Sequence, residues 1–242
     1  MLTNNKTRVG VICAMEPEAR HIIAAMSDTV TEKAGCLTLT TGTIGKTAVT
    51  VGCGAYGKVS AAVCASLMVE RYGAGALINS GVAGGLDPEL EPGDAVVALS
   101  VVQHDYDTSP IGDPVGMISG LNVTEIPADA ELSELLCQAA RENGIKVRRG
   151  VIATGDRFVA DADTAGYIKK TFGAAACDME SGSVGQAALL LGVPFAVIRA
   201  ISDNGNGKAV EDFPAFTEMA SERAARAFIT MINGMENGME RV

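Results

Sequence analysis

The chain has 242 residues, 48% of them hydrophobic, with 28 glycines, no Trp and 4% aromatics. A globular body of this size buries roughly 70–75% of the surface its unfolded form exposes, and here the core must come from Val, Ile, Leu, Ala and Met. The net charge of −10, without any basic block, argues against nucleic acid or an anionic membrane as partner, since both draw on clustered Lys and Arg.

From the N-terminus, "MLTNNKTRVGVICAM" sets an apolar strand at 8–13 behind a polar lead-in, without the apolar core and cleavage site of a secretory signal. "MEPEARHIIAAM" predicts a helix whose first turn holds Pro17 and two glutamates, where a missing N–H is harmless and negative charge suits the dipole. Strands follow at 36–42 and 47–53, then a helix over "GKVSAAVCASLMVERYG", with Val59, Ala62, Val63, Leu67 and Val69 near one stripe and Gly73 as its stop. The loop 104–127, rich in Asp, Gly and Pro, is too long for a simple connection and reads as a lid, subunit contact or binding loop. Further strands are expected at 75–80, 95–102, 148–153, 174–178 and 194–201, and helices at 129–143, 161–171 and 179–192. The last helix, 212–233, opens with Asp212 and Pro214 and aligns Phe216, Met219, Ala220, Ala224, Phe228 and Ile232, while the tail 233–242 reads as frayed.

Strands alternating with helices, undivided by a linker, predict a single-domain three-layer α/β sandwich over 1–242 with a mixed, partly parallel central sheet flanked by helices. No apolar run reaches the roughly 18–20 residues of a membrane span. The six cysteines are scattered without C-x-x-C spacing, and His21 and His104 are the sole histidines. A cytoplasmic protein with reduced core thiols and no metal site is expected.

Four motifs invite chemistry, each with a plainer reading beside it. "VGCGAYGK" carries G-x-G-x-x-G (Gly52, Gly54, Gly57) between strand and helix, as a dinucleotide fingerprint would. That fingerprint needs a carboxylate ending the next strand, but "ALINSGVAGG" ends on Asn79 and Ser80, leaving a tight glycine turn near something small, or plain packing. In "NSGVAGG" the amides of Ala83, Gly84 and Gly85 face a ligand or merely form a turn. "CDMESGSVG" puts Glu180 in the first turn of a helix, where dipole complementation alone explains it. "VIRAISDNGNG" ends a core strand on Arg199, Ser202 and Asp203, at the edge where open parallel sheets place ligands. Arg199 and Asp203, four apart on an extended chain, share a face, so a structural ion pair between them competes with a site. Glu18 opens toward the same edge if the first strand runs parallel to 194–201, and carboxylates converging there perturb one another's protonation as acid/base work requires.

The order of "GAYGK", "NSGVAGGL", "PGDAVV", "HDYD", "TGDRF", "DMESGSV" and "VPFAVIRAISDNGN" resembles the nucleoside phosphorylase superfamily, and within it the 5′-methylthioadenosine/S-adenosylhomocysteine nucleosidases, over essentially the whole chain. The resemblance implies hydrolysis of an adenine nucleoside's N-glycosidic bond, without metal or cofactor. Asp203 would protonate N7 of the leaving adenine, helped by Ser202; Glu18 would polarise the attacking water with Arg199 nearby; Glu180 would grip the ribose hydroxyls, with Met179 against the sugar. Phe158 would stack on the base, the Val159 backbone would read its edge, and Met15, Tyr56 and Phe213 would form the 5′ pocket. A protonated Asp203 requires that Arg199 turn away from it, toward water and Glu18, with the Asn-Gly segment after it free to move over the base. Hydrolysis is favoured over phosphorolysis because Met15-Glu16-Pro17-Glu18 stands where the phosphate-using relatives keep an anion pocket, and Val82 where they keep a serine. The resemblance also implies a homodimer whose partner covers the 5′ end, a role that suits 104–127. His104 and Asp105 read as a loop anchor or dimer contact, and His21 as a helix-surface group within reach of Glu18.

Overall fold

The computed structural model describes residues 8–204 and 209–239. Its strands are β1 (Arg8–Ile12), β2 (Ser27–Ala34), β3 (Leu37–Ile44), β4 (Thr47–Cys53), β5 (Ala74–Gly85), β6 (Ala95–Gln103), β7 (Ile126–Pro127), β8 (Val147–Thr154), β9 (Ala174–Asp178) and β10 (Phe195–Asn204). Between them lie α1 (Glu16–Ala24), α2 (Gly57–Glu70), α3 (Ala130–Glu142), α4 (Ala162–Phe172), α5 (Ser181–Leu191) and α6 (Ala209–Met239).

All strands join one mixed sheet. β5 is its hub: its first half lies between β1 and β10, both parallel to it, and its glycine-rich end pairs antiparallel with β9. β10 also pairs with β6, β6 with β8 and β8 with β9, so β5, β10, β6, β8 and β9 close into a ring. β1, β4, β3 and β2 extend from it as an open arm.

Side-chain alternation along β10 distributes the core. Val197 and Ile201 enter a cluster with α2 and α5, whereas Ala196 and Ile198 pack with α1, α3 and α6. On α6, Phe228 and Ile232 are fully buried in that second cluster, each worth about 1.5–3 kcal/mol of hydrophobic transfer.

The sequence expectations differ from the structure in four places. β2 was not foreseen, because its side chains are exposed almost throughout and carry no apolar alternation. β5 continues to Gly85, so "NSGVAGG" belongs to the strand, paired along its length with β10 and at Gly84 and Gly85 also with β9. The 104–127 segment holds a short 3-10 turn at Ser109–Ile111, a bridge between Ile118 and Val123, and β7. α6 begins at Ala209, with Pro214 inside it rather than opening it, and runs to Met239, into the stretch expected to fray.

Candidate active site

Glu18 owes its place to the start of α1. At the third helical position it reaches back over the first turn, and its Oε2 accepts the amides of Met15 (2.9 Å) and Ala14 (2.7 Å). Oε1 accepts the amide of Val82 on β5 at 3.0 Å, tying the ends of two strands together. Burial raises its pKa, opposed by the Arg199 charge and these three amides.

Glu180 is the buried residue immediately before α5, at its N-cap position. Its side chain caps none of α5's own amides; Oε1 instead accepts the N–H of Gly57, the first residue of α2, at 3.0 Å. The positive end of a neighbouring helix is therefore turned on this carboxylate. Gly57 is required there, since its φ is +71° and a Cβ would lie 2.8 Å from Asp156 Oδ1. The G-x-G-x-x-G turn thus brings a helix N-terminus to a protein carboxylate.

Arg199 is fully buried behind the cavity wall. Its Nε donates to Ser181 Oγ at 3.3 Å and lies in an ion pair 2.8 Å from Asp178 Oδ2, and its Nη2 donates to Asn79 Oδ1 at 2.6 Å and Glu180 Oε2 at 3.2 Å. Nη1 faces the Val82 carbonyl at 3.4 Å and Glu18 Oε1 at 4.0 Å. One expectation is corrected here: Arg199 is sealed in the wall rather than opening toward water. Among the described contacts it makes no pair with Asp203, the alternative weighed in the sequence, and its Nη1 is turned toward Glu18. A desolvated guanidinium requires a nearly complete set of acceptors, which this wall supplies. A bulge between Ile201 and Asp203 also breaks the strict alternation that would put Arg199 and Asp203 on one face.

The cavity, about 250 Å³, is lined by Glu18, Glu180, Met179, Ser202 and Asp203 with Ala83 and Gly84, and by Met15, Tyr56, Phe158, Val159 and Phe213. Of the residues to which the resemblance gives a part in binding or catalysis, Arg199 alone stands behind this surface. Phe158 and Phe213 meet edge to face at 5.4 Å between ring centres, so α6 and the segment after β8 close on each other across one side. Asp203 is buried, with the Ser202 hydroxyl donating to its Oδ2 at 2.8 Å. Burial raises its pKa, the Ser202 bond opposes this, and the charge of Asp212 adds to it. Of the Asn-Gly segment expected to move over the base, Asn204 ends β10 and 205–207 fall outside the described residues.

Across the chain, the family model of the phosphorylase superfamily matches residues 8–233. The 5′-methylthioadenosine/S-adenosylhomocysteine nucleosidase of Shewanella putrefaciens is 34% identical over 231 residues, covering 95% of this chain and 100% of its own. The chain belongs to this nucleosidase family of the phosphorylase superfamily. It is an N-glycosyl hydrolase by that membership. The aminodeoxyfutalosine nucleosidase of Campylobacter jejuni is 40% identical over 175 residues, 72% of this chain and 76% of the relative. The solved nucleosidase of Neisseria meningitidis in complex with methylthio-immucillin-A superposes with a TM-score of 0.91 at 30% identity, covering 94% of this chain and 99% of that one.

Within this nucleosidase fold, two residues that sequence reasoning passed over are Asp178 and Asn79. Each lay inside a quoted motif, and Asp178 ends β9 as Asp203 nearly ends β10, so the strand-end rule that picked one carboxylate also pointed to the other. Gly81 has no room for a side chain: a Cβ there would stand 2.4 Å from Glu18 Oε1 and 2.5 Å from Arg199 Nη1. Burial raises the Glu180 carboxyl to about 7, with Arg199 pulling it down and Asp178 and Glu18 pushing it up.

The histidines lie elsewhere. His21 bonds Glu218 of α6 at 3.0 Å rather than Glu18. His104 lies outside the cavity lining, and its neighbour Asp105 takes Lys58 Nζ at 2.6 Å and the Asp156 amide at 2.9 Å, tying the 104–127 segment to α2. Among the described residues no group of three His, Cys, Asp or Glu side chains is arranged to hold a metal ion.

Proposed function

We propose that this hydrolase cleaves the N-glycosidic bond of 5′-methylthioadenosine/S-adenosylhomocysteine-type adenine nucleosides, releasing adenine and a 5-thio-substituted ribose. The observation that carries the reading is the meeting of Glu18, Glu180 and Asp203, from α1, the start of α5 and β10, around one small cavity. Asp203 gives its proton to N7 of the leaving adenine, so the electron pair of the broken C–N bond is not left on an anionic base. Glu18 takes a proton from water as its oxygen joins C1′ of the oxocarbenium-like sugar. Glu180 accepts from the ribose hydroxyls beside Met179. Phe158 stacks on the base, the backbone of Val159 reads its edge, Ser202 orients the acid, the amides of Ala83 and Gly84 line the floor, and Met15, Tyr56 and Phe213 surround the 5′ substituent. No cofactor enters this chemistry.

Water is favoured over phosphate as nucleophile because Glu18, with its three amide donors consumed, turns negative charge toward the cavity. The Campylobacter jejuni relative supports a second substrate reading, an aminodeoxyfutalosine-type nucleoside, which shares the adenine and ribose and differs at the 5′ end. A homodimer in the cytoplasm completes the proposal. The adjacent helices α2 and α5 expose Val59, Val63, Leu189 and Leu190, an apolar face suited to a second copy. The six cysteines are free thiols, as a reducing compartment leaves them.

The test incubates the protein with methylthioadenosine, S-adenosylhomocysteine, aminodeoxyfutalosine and inosine, with and without phosphate, and quantifies free base. Phosphate-independent adenine release, with little hypoxanthine from inosine, is expected. Release that requires phosphate and yields a ribose 1-phosphate overturns hydrolysis.

A further inference from the structure

The shortest ion pair of the buried arginine is made with a carboxylate to which the reaction above gives no part. Arg199 Nε lies 2.8 Å from Asp178 Oδ2, against 3.2 Å from Nη2 to Glu180 and 4.0 Å from Nη1 to Glu18. Asp178 is itself held on every side. Thr154 Oγ1 donates to Oδ1 at 2.5 Å, the Ser181 amide reaches both oxygens at 3.3 Å, and the Ser181 hydroxyl donates to Oδ2. Thr154 Oγ1 in turn accepts the Gly182 amide at 2.7 Å, so the end of β8, the end of β9 and the first turn of α5 form one polar block.

We propose that Asp178 is a positioning residue for the hydrolysis: it anchors Nε of Arg199, and so fixes how the guanidinium divides its remaining donors between Glu180 and Glu18. A planar guanidinium held at Nε cannot rotate to give a two-pronged contact to Glu18, which stays 4.0 Å away. Glu18 therefore keeps a free lone pair for water, while Glu180 keeps one Arg199 contact and one amide. With Asp178 lost, the guanidinium is free to collapse onto whichever of the two carboxylates is nearer, and both lose their geometry.

The inference rests on the hydrolytic reading, and its test separates the two. The groups facing Glu180 are Arg199 from β10, Asp178 from β9, Glu18 from α1 and the Gly57 amide of α2, with the Tyr56 phenol beside them. The carboxyl titration of Glu180 is followed by carbon-13 NMR in the unliganded protein and in Asp178→Asn, alongside kcat on methylthioadenosine and thermal melting. Asp178→Asn is expected to lower the Glu180 midpoint, because one raising charge is gone, and to cut kcat on the order of 10- to 100-fold. Asp178→Glu keeps the charge but moves it, so it should leave the midpoint near the parent's and still lower kcat. A folded Asp178→Asn with an unmoved midpoint overturns the proposal. If Asp178→Asn does not fold, Asp178→Glu decides: a kcat equal to the parent's overturns it, and a reduced kcat at unchanged melting temperature supports it. A parent that releases no adenine defeats the functional reading instead, and the titration still tests Asp178.

Discussion

Two walls of the same cavity treat charge in opposite ways. On one, Glu18 and Glu180 stand over a buried arginine shared with Asp178 and Asn79, and amides of Ala14, Met15, Val82 and Gly57 complete their partners. On the other, Asp203 is equally buried but has a hydroxyl, from Ser202, as its hydrogen-bond donor, and among the described residues no cation pairs with it. The first wall offers its carboxylates a cation and amides; the second offers a hydroxyl, and burial holds the Asp203 carboxyl above its usual range. An N-glycosidic hydrolysis needs both, and the bulge in β10 between Ile201 and Asp203 lets one strand serve the two walls.

The sharpest way to break this contrast is Asp203→Asn, which keeps the shape and cannot deliver a proton. Turnover should fall by about 10²–10⁴ with a much smaller change in substrate binding. Steady-state kinetics checks this, and an unchanged kcat removes the acid from Asp203. Arg199→Met attacks the other wall, leaving Asp178 and Glu180 buried without their cation. A stability loss of about 3–5 kcal/mol is expected in urea titration. Gly81→Ala drives a methyl between Glu18 and Arg199, and overpacking of this kind costs about 1–3 kcal/mol, with activity falling further than stability.

The smallest effect is a pH slope. Burial sets the Glu180 carboxyl at about 7 in the folded protein, above its usual range. Because the folded state binds the proton more tightly, this group's stabilising contribution is full below the unfolded pKa of about 4.3 and is lost as pH rises through about 7. Glu180→Gln stays neutral, so its melting temperature relative to the parent should climb across that window and level off above it. A flat difference between the two proteins contradicts the assignment.

Much of this architecture was legible beforehand because its signals are local. β1, β4, β6, β8 and β9 lie close to their expected bounds, since each is a short apolar run between turn residues. Glu18 and Glu180 were visible as first-turn carboxylates, and Asp203 as one at a strand end. β2 escaped notice because an exposed strand carries no burial pattern, and its pairing with β3 rests on backbone bonds and threonine hydroxyls rather than on apolar alternation. Asp178 escaped because the need for it arises on Arg199, which sits 21 positions later in the chain and across the sheet.

The amino-acid order by itself determined which elements form and which carboxylates stand at their ends, because periodicity, capping and turn chemistry act over a few residues. Tertiary structure alone decided the partners. Whether Arg199 would face Asp203, water or Asp178 depended on a one-residue bulge and on the closing of β5, β10, β6, β8 and β9 into a ring. A buried charge selects its neighbours by desolvation and distance, and those distances exist only once segments remote in sequence are packed together.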